Sequence, residues 1–327
     1  MKITAKLALT LAAALPLGAG ALAVPAYAAT GIHVSGQAVL ESNGASFMMR
    51  GTNQPHAWFP GNTATALGWQ KGWRANTVRV VLSGGRWTKN SASDVANVIA
   101  ICKSNKLICL LEDHDTTGYG EASGAYSLSS AADYWISIKS ALQGQENYVI
   151  INIGNEPYGN SNVSNWTADT KAAVSKLRNA GLDHALVVDA PNWGQDNNGV
   201  MKNNAASVQS ADPRHNVIFS VHMYSQYGSS STISSYVNTF KNNNLPLIIG
   251  EFGPYDAYGD INEDAILSVA HNAGYGLLGW SWSGNSSDLS YLDQVAGFDG
   301  NKPTTWGNRV WFGADGIYST SSEAAIY

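Results

Sequence analysis

The sequence predicts an α/β chain closed as a (β/α)8 barrel, a TIM barrel, with a short N-terminal β-hairpin. Three observations carry this reading. Eight short apolar runs begin at Phe47, Thr77, Leu107, Tyr148, Ala185, Val217, Leu245 and Tyr275, at intervals of 28 to 41 residues. Near-continuous apolar strands of this kind are buried on both faces, as parallel strands are. The gaps between them fit helical crossovers, and eight strand–helix units make one closed barrel. Each run also ends in polar or aromatic residues, at the end where such a barrel builds its catalytic face.

The elements follow in chain order. Residues 1–28 read as a secretory signal peptide: Lys2 and Lys6 form a positive start, residues 7–24 are almost wholly apolar, and Ala26-Tyr27-Ala28 is a small-x-small cleavage site. Removing them leaves 17 basic and 24 acidic residues from about Ala29 onward, a formal charge of −7. No later stretch is long and apolar enough to span a bilayer. Residues 29–327 are therefore expected to form one catalytic barrel domain, exported and soluble, without a membrane partner and acting as a monomer. The segment 32–47 alternates like a hairpin, with a turn at Ser42-Asn43-Gly44, and is placed to plug the bottom of the barrel. Residues 92–104 carry apolar side chains at helical spacing behind Ser91 or Ser93 as N-cap. Residues 166–180 do the same and stop at Gly181, and residues 262–273 repeat the pattern before Gly274. A doubly wound open sheet is the alternative, weakened because no G-x-G-x-x-G or Walker pattern follows the first run.

Composition narrows the function. Charged residues make up 13% of the chain and hydrophobic residues 44%, which argues against disorder. An acidic chain with 19 Lys and Arg is poorly suited to neutralising phosphates, so nucleic acid is not expected as a partner. With 11 Trp and 15 Tyr, aromatics exceed what a core needs, and some are expected at the surface to bind something flat or apolar. Cys102 and Cys109 lack zinc-site spacing. Their expected places, a helix end and the following strand, let them meet. An exported chain keeps a disulfide, so that bond is expected, with two buried thiols as the alternative.

The polar residues that end the runs converge on one rim: Asn53 and His56, Arg79, Glu112 to His114, Asn155 and Glu156, Asn192 and Trp193, His222 and Tyr224, Glu251, and Trp280 with Trp282. Glu156 follows INIGN and Glu251 follows LIIG, so each carboxylate stands directly after a buried run. They read either as structural acids tied to a cation or as the paired carboxyls of a retaining glycosidase, in which a protonated acid helps the leaving group and an ionised one attacks the sugar. His56, His114 and His222 also allow a metal reading, but the paired glutamates explain the site without zinc. After Glu251, Asp256, Asp260, Glu263 and Asp264 crowd four carboxylates into nine residues with no Lys or Arg among them. Asp260, Glu263 and Asp264 then read either as ligands of a structural Ca²⁺ or as acids at a helix N-terminus.

The set GNEP (Gly154–Pro157), HMY (His222–Tyr224), GEFG (Gly250–Gly253) and GWSWSGN (Gly279–Asn285) resembles glycoside hydrolase family 5. With NQPHAWFPGN (Asn53–Asn62), LEDHDTTGYGE (Leu111–Glu121) and DAPNWGQD (Asp189–Asp196), the resemblance is to the bacterial endo-β-1,4-mannanases of that family and runs over nearly the whole chain after the leader. It implies Glu156 as acid/base and Glu251 as nucleophile. It places Asn155 on the sugar 2-hydroxyl, Arg79 behind the nucleophile, His222 and Tyr224 near both carboxyls, His114 in the site and Trp280 under the sugar at the cleaved bond. Sugar faces pack on aromatic rings, so Trp58, Trp193 and Trp282 are candidates for further subsite walls. Arg79 is expected to keep Glu251 ionised through a charge-assisted hydrogen bond. The implied substrates are β-mannan polysaccharides and oligosaccharides, with no cofactor for the chemistry. The rivals are an endo-β-1,4-glucanase of the same family and a non-catalytic sugar-binding barrel.

Overall fold

Every residue in the eight barrel strands is buried, which is why most of them read as apolar runs; the first, Arg50–Gln54, is polar throughout and follows the apolar Phe47–Met49. The computed structural model describes residues 31–327, and the leader expected over residues 1–28 lies outside the described residues. The barrel strands are β3 (Arg50–Gln54), β4 (Thr77–Leu82), β5 (Ile108–Asp113), β6 (Val149–Asn152), β7 (Leu186–Asp189), β8 (Val217–Met223), β9 (Leu247–Phe252) and β12 (Gly276–Gly279). They close in the order β12-β3-β4-β5-β6-β7-β8-β9, each pair parallel. The hairpin β1 (His33–Ser35) and β2 (Ala38–Leu40) precedes the barrel, and the ribbon β10 (Tyr255–Asp256) and β11 (Gly259–Asp260) rises after β9.

The longer helices are α1 (Thr63–Gly72), α2 (Ala92–Ser104), α3 (Leu128–Ser137), α5 (Trp166–Asn179), α6 (Val200–Ala211), α7 (Ser230–Asn242) and α8 (Glu263–Ala273), with short α4 (Lys139–Leu142), α9 (Thr305–Gly307) and α10 (Ile317–Thr320). The three helices expected from periodicity are present within one residue at each end. Ser91, not Ser93, caps α2 by accepting from the Asp94 N–H, and Asn262 caps α8 by accepting from the Ala265 N–H. Among the described residues no helix is long and apolar enough to cross a membrane.

Alternation along the strands sorts two cores. Val78, Val80, Leu82, Leu111, Ile151, Val188, Phe219 and Ile249 face outward into the helix layer. Ile108, Leu110, Ile150, Val187, Ile218, Ile248 and Leu278 face inward and pack on Ile32, Val39, Phe47 and Met49, so the hairpin segment closes the bottom. The hairpin itself reverses at Gly36-Gln37; the expected turn at Ser42–Gly44 is a second reversal, which bridges Leu40 to Ser46. The C-terminal segment is tied to the same pole, with the Ala325 and Ile326 N–H groups donating to the Glu41 carboxylate at 2.7 and 2.9 Å and the Tyr327 hydroxyl donating to the Leu107 carbonyl.

Two expectations are corrected here. Cys102 and Cys109 meet as predicted, but as free thiols with Cys102 Sγ donating to Cys109 Sγ at 2.7 Å, so the expected disulfide is not formed in this structure. Both are fully buried, and burial pushes the Cys109 thiol well up, with Cys102 adding to the effect. The calcium ligands Asp260, Glu263 and Asp264 do not converge. Glu263 and Asp264 occupy the first turn of α8, where acids favour the helix dipole. Asp264 pairs with Arg309, while Asp260 is exposed in the ribbon. Among the described residues, the one group of His, Cys, Asp and Glu side chains with converging ligand atoms is Glu156, His222 and Glu251, so the His56–His114–His222 metal reading is not assembled either.

Candidate active site

The inward phase of the strands changes character near the mouth. Two residues after inward Leu110, Ile150 and Val187 come Glu112, Asn152 and Asp189, and Asn53 and Arg79 join them from β3 and β4. This buried polar layer centres on Arg79, which is wholly enclosed. Arg79 Nε donates to Asn152 Oδ1 at 2.9 Å. Nη1 donates to Asn53 Oδ1 and to Glu251 Oε1, both at 2.8 Å. Nη2 donates to Asn155 Oδ1 at 2.7 Å and Asp189 Oδ2 at 3.1 Å. Burial alone would lower its pKa, but Glu112, Asp189 and Glu251 raise it, so the guanidinium is a fixed positive charge.

Glu251 stands on β9 and is 4% exposed. Its second oxygen accepts from the Tyr224 hydroxyl at 2.9 Å and lies 3.6 Å from His222 Nδ1. Burial raises its carboxyl above the ordinary range; His222 and Arg79 oppose the rise and Glu156 adds to it. Arg79 thus engages Glu251 as expected, but desolvation outweighs it in direction. Tyr224 is pushed well up by burial and by Glu251 and Glu156, so it remains a neutral donor.

Glu156 lies beyond the end of β6 with φ 42°. A non-glycine residue in this left-handed region carries strain of about 1–2 kcal/mol. Three bonds fix the turn: Asn155 N–H to the Asp113 carbonyl at 2.9 Å, Glu156 N–H to Asp189 Oδ2 at 3.3 Å, and Gly118 N–H to the Glu156 carbonyl at 3.0 Å. Gly154 is needed just before it, since a Cβ there would lie 2.6 Å from Thr116 Oγ1. His222 Nδ1 donates to Glu156 Oε1 at 2.8 Å. Burial would lower the His222 pKa, yet Glu251 and Asp189 push it up to about 10, so it is an imidazolium set between carboxylates. One carboxyl oxygen of Glu156, one of Glu251 and a ring nitrogen of His222 all lie within 4.8 Å of one another. Carboxyls this near one another suit retaining glycosidases, whose pair stands roughly 5–5.5 Å apart, rather than inverting ones, whose pair must leave room for a water.

Aromatic rings wall the cleft. Trp280 is half-buried, with Nε1 donating to Asn285 Oδ1 at 3.0 Å, and lies nearly parallel to the His114 ring at 5.8 Å. His114 Nδ1 in turn bonds Glu112 Oε1 at 2.8 Å. Burial would lower the His114 pKa, but Glu112 raises it. Trp58 and Trp87, 36% and 37% exposed, meet edge to face at 5.3 Å beside His114. Trp193 is half-buried on the far side, its ring covering Gly118, where a Cβ would lie 2.3 Å from it. Trp282 is the exception: it is fully enclosed among Trp73 and Trp311, so it packs the core and lines no subsite. Trp282→Ala is therefore expected to destabilise the fold by about 3–5 kcal/mol. Trp280→Ala should instead raise KM or lower kcat while leaving the denaturant midpoint nearly unchanged. Paired urea melts and kinetics separate the two.

Of the other strand-end residues, His56 bonds Thr63 and Asp94, Asp113 turns toward Gly84, and Asn192 bonds Asn160 and Asn198. Sequence reasoning missed Asn152, Asp189 and Trp87. The period-two phase through Ile150 and Val187 would have found the first two; Trp87 lies in a loop that carries no such signal.

Comparison with known proteins agrees with this geometry. The cellulase model of glycosyl hydrolase family 5 matches residues 40–286. The chain is 54% identical to a mannan endo-1,4-beta-mannosidase of Streptomyces lividans, over 92% of this chain and 78% of that protein. It is 50% identical to a beta-mannanase/endoglucanase A of Caldicellulosiruptor saccharolyticus, over 83% of this chain and 20% of that protein. A mannohexaose complex of the Thermomonospora fusca beta-mannanase superposes with a TM-score of 0.88 at 54% identity, over 91% of this chain and 99% of that one. A barrel of this build, with this match across most of its length, belongs to glycosyl hydrolase family 5.

Proposed function

We propose that the protein is a secreted, monomeric endo-β-1,4-mannanase that cuts internal bonds of mannan, glucomannan and galactomannan with retention of configuration. The observation that carries the chemistry is the close pair of carboxyls, one bonded by Arg79 and Tyr224 and the other by His222. The mannan relatives support the substrate. Glu251 attacks the anomeric carbon while Glu156 gives its proton to the departing sugar oxygen. Glu156 then takes a proton from water, the water oxygen bonds the same carbon, and Glu251 leaves as a carboxylate. Arg79 and Tyr224 aim one oxygen each of Glu251. Asn155, held by Arg79 and Thr117, presents its amide to the 2-hydroxyl. Trp280 carries the sugar at the cleaved bond, and Trp58, Trp87 and Trp193 extend the cleft.

Product analysis on mannohexaose by NMR tests this reading: internal cleavage with the β-anomer appearing first supports it, and the α-anomer first rejects retention. The Caldicellulosiruptor relative is named for both activities, so carboxymethyl cellulose belongs beside glucomannan and galactomannan; faster turnover of cellulose would favour the glucanase. The leader pattern supports export, read by N-terminal sequencing of protein from the medium, where a start near Ala29 is expected.

The raised Glu251 carboxyl sets a pH dependence. The nucleophile must be ionised, so kcat/KM should fall on acidification with an apparent pKa above the ordinary glutamate value of about 4.3. A limb at or below that value in a pH–rate profile would contradict the burial argument.

A further inference from the structure

We infer that Asp189 is a positioning residue for the acid/base carboxyl, tying the strained backbone at Glu156 to Arg79 and His222. This rests on the assignment of Glu156 as acid/base. Asp189 ends β7 and is 1% exposed. Its Oδ1 accepts from Asn152 Nδ2 at 3.1 Å. Its Oδ2 accepts from Arg79 Nη2 at 3.1 Å and from the Glu156 N–H at 3.3 Å, and faces His222 Nε2 at 3.4 Å. One oxygen therefore meets the arginine of the nucleophile, the backbone of the acid and the imidazole that bonds the acid's carboxyl.

The strain at Glu156 explains why an anchor is needed. A left-handed glutamate relaxes unless its peptide groups are held on both sides. Gly118 holds the carbonyl and Asp189 holds the N–H. Charge makes the anchor permanent. Burial would raise Asp189, but His222 and Arg79 bring it down to about 2, so it stays ionised wherever the enzyme works. Asp189 also helps keep His222 protonated, and the Nδ1–H of that ring points at Glu156 Oε1. The acid is thus steered twice by one carboxylate, through its backbone and through its side-chain partner. Neither contact is a proton-transfer step, so the role is geometric.

Asp189→Asn keeps the volume but removes the charge, and whichever way its amide turns it sets an N–H against a donor, either that of Asn152 or those of Arg79 and the Glu156 backbone. A misplaced acid harms substrates in proportion to their need for a proton. On mannohexaose kcat/KM should fall about a hundredfold. On 2,4-dinitrophenyl β-mannobioside, whose leaving group departs without protonation, the fall should be less than about tenfold. Equal losses on both substrates, or no loss on mannohexaose, would overturn the proposal. Glu156→Ala is the control: if it shows no such contrast, the acid/base assignment fails; if it does and Asp189→Asn does not, only the Asp189 role fails. Should Asp189→Asn not fold, as a urea melt would show, Asn152→Ala releases the other oxygen of the carboxylate and should give the same contrast at smaller size; equal losses there would overturn the proposal as well.

Discussion

Glu251→Ala is expected to lower kcat on mannohexaose by about five orders of magnitude, as loss of a covalent nucleophile does. Binding and fold should survive, because alanine leaves Arg79 its bonds to Asn53, Asn152, Asn155 and Asp189. Glu156→Ala should also lose heavily on the natural substrate, and in kcat/KM far less on the dinitrophenyl glycoside, whose first step needs no proton. Azide identifies which carboxyl is which. In Glu251→Ala it enters where the nucleophile stood and yields the α-mannosyl azide. In Glu156→Ala it attacks the glycosyl ester on Glu251 from the opposite face and yields the β-azide. The reverse pair of products would exchange the roles, and full activity in either variant would return the chain to the sugar-binding reading.

Arg79→Ala is the second large effect. The guanidinium is enclosed and meets Asn53, Asn152, Asn155, Asp189 and Glu251, with Glu112 3.8 Å away. Removing it takes the shared cation from three buried carboxylates, Glu112, Asp189 and Glu251, and breaking such a network typically costs about 3–5 kcal/mol. Equilibrium urea unfolding should show that loss, and activity should vanish with it. Arg79→Lys should rescue little, since an ammonium cannot fork to five acceptors. A stability close to wild type in Arg79→Ala would mean that the carboxylates take up protons instead, which the pH dependence of unfolding would reveal.

Most of the barrel was legible because its strands are buried on both faces and carry runs of apolar side chains there; β3 is the exception, a buried Arg50–Gln54 that is polar throughout and was signalled only by the apolar Phe47–Met49 just before it. The catalytic pair was legible for the opposite reason: a glutamate directly after such a run breaks the pattern. Other features depended on contacts distant in sequence. The acidic loop gave no sign of Arg309, 45 residues away from Asp264, which takes up the charge a cation would have balanced. Trp282, two residues beyond Trp280, carries the same side chain, and only its packing against Trp73 and Trp311 shows it as core. The inward phase of Asp189 was readable from Val187, but its role was not, because that role lies in the unusual backbone of Glu156.

The lock between Glu41 and the last residues has a practical side. It fixes the chain's exit on the floor of the barrel, the pole away from the carboxylates. An affinity tag, a surface tether or a cell-wall anchor joined after Tyr327 would hang beneath the enzyme and leave its mouth open to a long polymer. The same cargo spliced into the ribbon at Tyr258 would stand in the polymer's way.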